Sequence, residues 1–339
     1  MTARTVVARV RRRARFVALV LAVLAAALFL LALSVGTAVV SLPDVLSTLA
    51  GQGSEATDYI VLERRLPRAA VALLVGAAFG LSGAVLQSLL GNPLASPDVI
   101  GISAGAGAAA VTAIVAFGAA GPAVALAALL GALLTAALMY VLAWRDGVTG
   151  YRLVLVGIGL AAILLGITSY FMTRSQVTSA QDALVWLTGS LNGSGLDELV
   201  PLAIALAVLV PATSVSARAL DLLAFGDDTA SGLGVEVQRT RFALLVCAVA
   251  LAGTATAAAG PIAFVALLSA PIGRRLARDG GPALLPSALT GAVIVLAADF
   301  AAQHAPGLPQ VPVGVLTGAI GAPYLLFLLA RTNRGGHGG

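Results

Sequence analysis

Residues 16–40 read FVALVLAVLAAALFLLALSVGTAVV, a stretch without a charged side chain, with Arg11, Arg12, Arg13 and Arg15 crowded just ahead of it. A bilayer core about 30 Å thick needs about twenty apolar residues at about 1.5 Å of helical rise each, so this stretch can span a membrane. It is longer than the apolar region of a secretory signal and further runs of the same kind follow, so it reads as a retained first span.

Working outward, comparable runs recur at 69–90, 99–118, 123–144, 153–172, 199–216, 242–260, 261–273, 282–302 and 311–330, the run at 261–273 being short and holding Pro271. They predict an all-α membrane protein with ten transmembrane helices. Composition agrees: 59% of the residues are hydrophobic, 10% are charged and the mean hydropathy is +1.01. A soluble globule of this make-up would lack the polar side chains to cover its surface. The runs are apolar on every face, whereas strands of a membrane β-barrel alternate. Abundant glycine (38 residues) and few aromatics (5%) predict thin helices that approach closely.

Alternating the spans from a cytoplasmic N-terminus puts only Arg64, Arg65, Arg68 and Arg174 outside and every other arginine inside, while carboxylates divide evenly. Both termini are therefore expected in the cytoplasm. The layout becomes a basic N-terminus at 1–15, a ten-helix membrane domain at 16–330 and a cytoplasmic tail at 331–339. Spans two to five and seven to ten form two sets of four that would enter the membrane in opposite senses, a candidate inverted repeat.

Several function classes lack material. Cys247 is the single cysteine, and the histidines are His304 and His337, so a Cys/His metal site is not expected. The pI near 10.1 fits basic cytoplasmic loops and does not call for nucleic acid. Span interiors are nearly free of charge. Asp299 is the one carboxylate inside a span and is read as structural and interfacial rather than part of an ion path. An energy source outside the spans is then required.

Two segments stand out. The loop at 217–241 contains LDLLAFGDDTASGLG (220–234), in which Asp228 can cap a short helix that Gly234 ends. It reads either as a solvated connector or as a docking helix for a soluble partner. The second is GAAFGLSGAVLQ (76–87), followed by GNPLASPD (91–98) and GISAGAG (101–107). Its glycines permit close packing, Gln87 can hydrogen-bond between helices, and Pro93 and Pro97 impose a rigid turn.

NPLASPD (92–98), with RLPR (65–68) ahead of it, resembles the permease subunits of bacterial ABC importers for iron-siderophores, haem and vitamin B12, the FecCD type. WLTGSL (186–191), DDTASGLG (227–234), GPIAFVAL (260–267), LPQVPVGVLTG (308–318) and GAPY (321–324) extend the resemblance in order. It implies a multi-pass protein of the bacterial cytoplasmic membrane, paired with a second permease of the same chain or a paralogue. It also implies two cytoplasmic ATPases carrying the ATP and Mg, an extracytoplasmic siderophore-binding protein, and no catalytic residue or resident metal in this chain. The chain accordingly has no G-x-x-x-x-G-K phosphate loop.

The resemblance implies ATPase coupling through Asp227, Asp228, Ala230, Leu233 and Gly234, and binding-protein docking through Arg65 and Arg68. It implies a translocation path or gate at Gln87, Asn92, Pro93, Leu94, Thr149, Gly150 and Tyr151. Where the family often shows Gly-Leu-x-x-Pro-His-x-x-Arg, this chain has ALLSAPIGR (266–274), with its proline one place later and no histidine; Gln303 stands where some members carry an outer arginine. Gln303-His304 and the end at Arg274-Arg275-Leu276 are closer to the catecholate (enterobactin-type) siderophore branch than to the vitamin B12 branch. The rival classes are a stand-alone secondary transporter, which would want more charge in its path than Asp299, and a membrane enzyme, which would want a second acidic cluster beside Asp227 and Asp228.

Overall fold

The computed structural model describes residues 3–145, 147–278, 281–304 and 311–334, and the regular elements among them are all helices. The quoted stretch forms α1 (Ala3–Ser34), which ends six residues before its apolar run does, where the chain bends at residues 36–38. Two short helices follow outside the long ones, α2 (Leu42–Leu49) and α3 (Glu55–Asp58), and a π-helical turn (Tyr59–Arg65) leads into α4 (Leu66–Leu90). Next come α5 (Ile102–Phe117), α6 (Pro122–Ala143), α7 (Gly150–Arg174), α8 (Val177–Thr188) and α9 (Leu196–Val215). Two short helices, α10 (Ala217–Leu223) and α11 (Asp227–Gly232), precede α12 (Val237–Ala259), α13 (Val265–Ala277), α14 (Leu284–His304) and α15 (Val313–Arg334).

Among the described residues seven helices are long and apolar enough to cross a membrane: α1 from Arg12, the α3–α4 unit, α6, α7, α9, α12 and α14. α5 and the Val313–Phe327 part of α15 are apolar but shorter. α13, expected at 261–273, starts four residues later because Phe264, its N-cap, adopts a left-handed φ of +67°, which a right-handed helix cannot contain, so the chain turns before the helix begins at Val265. The Leu308–Gln310 portion of the quoted motif lies outside the described residues.

α4 is the hub. Most of it is buried, in contact with α12, α13, α14 and α9. No amphipathic stripe could satisfy so many neighbours, and its sequence instead places small residues wherever a backbone crosses. Gly76 and Gly291 meet face to face between α4 and α14, where a methyl group on either would overlap the other's carbonyl. In hydrocarbon there is no hydrophobic drive between helices, so such close backbone approach supplies the van der Waals attraction that holds them. α7 is the opposite case, exposed along most of its length with only Leu153 and Gly157 buried.

Candidate functional site

Polar side chains collect at the two ends of the bundle. At the end where α1 finishes, the π-helical turn and the first turn of α4 bring Arg64, Arg65 and Arg68 into a cleft of about 320 Å³, completed by Glu63, residues 193–195, Asp299 and Gln303. The three arginines differ. Arg64 is exposed and donates to the Tyr59 hydroxyl at 2.7 and 3.0 Å. Arg65 turns back onto its own chain and donates to the carbonyls of Leu33 (2.8 Å), Ser34 (3.1 Å) and Ala38. Those carbonyls belong to the last turn of α1 and the bend after it, which the helix itself cannot satisfy, so Arg65 is a C-cap supplied from another element.

Arg68 faces inward. Its Nη2 lies 2.8 Å from Asp299 Oδ1 and its Nε 3.1 Å from Oδ2, a two-point pair between α4 and α14 with side chains only 18% and 5% exposed. Gln303, one turn further along α14, donates to Asp299 Oδ2 at 2.7 Å. The carboxylate thus spends its oxygens on neighbouring side chains, in keeping with the structural role expected for it.

At the end where α1 begins, Arg13 donates to the carbonyl of Leu276 at the close of α13 (3.1 Å). Gln87 is buried in the last turn of α4; its Nε2 donates to the Leu267 carbonyl (3.1 Å) and its Oε1 accepts from Arg274 of α13. It joins two helices, as its type suggested. Gly91, in the left-handed region at φ +61°, closes α4. Asn92 Oδ1 accepts the N–H of Leu94 at 2.9 Å and fixes the turn that carries Pro93. Asp98 accepts from the Ser103 hydroxyl and from the Phe264 N–H at the start of α13, tying this loop to that helix.

α11 lies at this same end, set off by Gly226 (φ +97°) and Gly234 (φ +87°). Gly226 is the N-cap, so Asp228 sits in the first turn with Asp227 rather than capping the helix, and there it still favours the helix dipole. Ala230 is fully buried, while Asp228, Leu233 and Phe225 are exposed. Asp227 is held by Arg241 of α12 at 2.9 and 3.2 Å, and Arg241 Nη1 donates to the Val148 carbonyl at 2.8 Å. Val148 precedes Thr149, Gly150 and Tyr151; Thr149 and Tyr151 are exposed, and Gly150 rests on Leu90, where a β-carbon would lie 3.3 Å from the Leu90 Cα. The expected coupling segment, the expected gate loop and the turn at Asn92–Leu94 are therefore contiguous. Arg65, Arg68 and Asp299 form a separate group at the far end.

Sequence reasoning missed Arg241. The apolar run starts at Phe242, so hydropathy places Arg241 in the loop, whereas α12 begins at Val237 and holds Arg241 buried one turn in, with a fixed partner. No group of three or more His, Cys, Asp or Glu residues lies together among the described residues.

Comparison with known proteins points one way. The chain is 40% identical over 299 residues to the ferric enterobactin transport system permease protein FepG of Escherichia coli (strain K12), covering 88% of this chain and 91% of that one. It is 40% identical over 317 residues to the achromobactin transport system permease protein CbrC of Dickeya dadantii (strain 3937), covering 92% and 89%. A solved metal-chelate type ABC transporter in an inward-facing conformation superposes with a TM-score of 0.81 at 27% identity, over 94% of this chain and 99% of that one. The FecCD transport family matches residues 23–331, and with most of its length accounted for in this way, the chain is a multi-pass membrane protein that belongs to that family.

Proposed function

We propose that this chain is the transmembrane permease subunit of an ATP-driven importer that carries ferric-siderophore complexes across the bacterial cytoplasmic membrane. The observation that carries the reading is α11: a short acidic helix outside the long ones, pinned to α12 through Asp227, with Asp228 exposed on it and Phe225 and Leu233 exposed on either side of it. An exposed apolar pair beside an acidic turn is suited to a groove on a soluble ATPase. That ATPase holds ATP and Mg; this chain catalyses nothing itself.

The seven long helices, the shorter α5 and α15, and α13 together supply ten spans. With α11, the exposed gate loop and Arg13 at one end, that end faces the cytoplasm and both termini lie there. The two four-helix sets, α4–α7 and α12–α15, are read as an inverted repeat: α4 packs on α14 as α12 packs on α6, and α5 packs on α6 as α13 packs on α14. A second permease, identical or paralogous, completes the path against the exposed face of α7. A loaded binding protein docks at the outer end, where Arg64 is the accessible cation and Arg65 and Arg68 shape the surface beneath it. Nucleotide-driven movement of α11 then switches access at Thr149–Tyr151 and Asn92–Leu94.

The two named relatives handle enterobactin and achromobactin with equal identity to this chain, which supports ferric chelates as the cargo class, with a catecholate as our specific choice. A large chelate suits a path lined by small and apolar groups. The test is purification of the tagged chain in mild detergent from iron-starved cells. An ATPase subunit should copurify and be lost from the Asp227→Arg/Asp228→Arg variant; full recovery of the ATPase with that variant would remove α11 from the interface.

A further inference from the structure

Arg241 has two ends in use. Its Nη2 binds both oxygens of Asp227 on α11, and its Nη1 binds the Val148 carbonyl in the loop between α6 and α7. Val148 is wholly buried, and its N–H is taken by Gln238 Oε1 of the turn before Arg241 (3.3 Å), so the loop backbone is gripped at both its donor and its acceptor by α12. Gly147, at φ +111°, lies directly against Gln238 and leaves the loop no slack there.

The third guanidinium nitrogen counts against a purely stabilising role. Arg241 Nε is buried and has no partner in the described structure. Asp227 is half exposed, and an ion pair to an exposed carboxylate returns little, less than a buried unpaired donor loses. A lysine would make the same pair without that loss. What the single nitrogen of lysine, on its flexible stem, cannot do is hold the two targets at a fixed separation and angle, which the two Nη groups of arginine's rigid planar fork do.

We propose that Arg241 is a positioning residue that makes α11 and the α6–α7 loop one mechanical unit, so that a displacement of α11 reaches Val148, Gly150 and the end of α4 directly. The inference rests on reading α11 as the ATPase-contacting helix. Movement enters at Asp227, passes through one side chain to the Val148 carbonyl, and arrives at Gly150 against Leu90.

The test places spin labels on cysteines introduced at Thr229 and Thr149, both exposed, in a Cys247→Ser background of the full complex with its ATPase, and measures their separation without nucleotide and with ATP trapped. The separation should be the same in both states. In Arg241→Lys it should broaden or shift between states while ATPase subunits still copurify, and cargo moved per ATP should fall about tenfold, an uncoupling that simple loss of stability would not produce. A nucleotide-dependent separation in the unsubstituted protein, or unchanged transport per ATP in Arg241→Lys, would overturn the proposal. A label at Thr229 whose mobility ignores the ATPase would instead defeat the reading of α11, so the two failures are distinguishable.

Discussion

Asp299→Ala should be among the most damaging single changes in the chain, and the structure says by how much. The substitution removes both oxygens that pair Arg68 and leaves a guanidinium only 18% exposed, with Nε and Nη2 unmatched. Breaking a buried ion pair on one side costs about 3–5 kcal/mol, and residual exposure at the helix end, from which an arginine can snorkel outward, puts this case near about 3 kcal/mol. That is more than about a hundredfold in the folding equilibrium. Arg68→Ala should cost less, because Asp299 keeps the hydrogen bond it accepts from Gln303, whereas Asp299→Ala leaves a permanently charged guanidinium unmatched. The double Arg68→Ala/Asp299→Ala variant removes both charges and should be no worse than Asp299→Ala alone, a coupling of about 2 kcal/mol. Reversible unfolding in mixed micelles of mild detergent and SDS, followed by circular dichroism, reads all four proteins. Additive penalties, within about 0.5 kcal/mol, would refute the pair as a structural strut between α4 and α14.

Gly76→Leu should abolish correct packing of α4 on α14, since the added side chain meets the Gly291 backbone, and should show as loss of monodisperse protein after extraction. Gln87→Leu keeps the size but strips the Leu267 and Arg274 contacts, so a loss of about 1–3 kcal/mol is expected in the same unfolding assay. Arg65→Ala removes its bonds to three carbonyls at the end of α1 and the bend after it, leaving Ser34 its bond from the Val40 N–H, and should cost about 1–2 kcal/mol without altering binding-protein affinity in the variant that folds. Arg64→Glu, on the exposed side, should weaken binding-protein association more at low than at high salt; a salt-independent loss would point to misfolding instead.

The long helices were legible because each apolar run is as long as the bilayer is thick, a requirement written in consecutive residues. The displaced start of α13 shows the limit of that signal: hydropathy continues through residues 261–264 while the left-handed backbone at Phe264 (φ +67°) keeps the helix from starting before Val265. α2 and α8, amphipathic and outside the long helices, left no comparable trace in hydropathy. Asp299 could be marked as a structural carboxylate from its lone position, but its partner is 231 residues away, so Arg68 looked free until the fold closed the distance. Gln87 declared a helix-to-helix bond by its type and surroundings. Arg241 did not declare itself, since nothing local says that its two ends serve different elements.

The central claim is that transport is driven by ATP hydrolysed on a partner. Proteoliposomes containing the permease, its ATPase and a loaded binding protein should accumulate radiolabelled ferric siderophore only when ATP and Mg are inside with the ATPase. Accumulation by the permease alone, without nucleotide, would contradict the account and make the chain a secondary transporter.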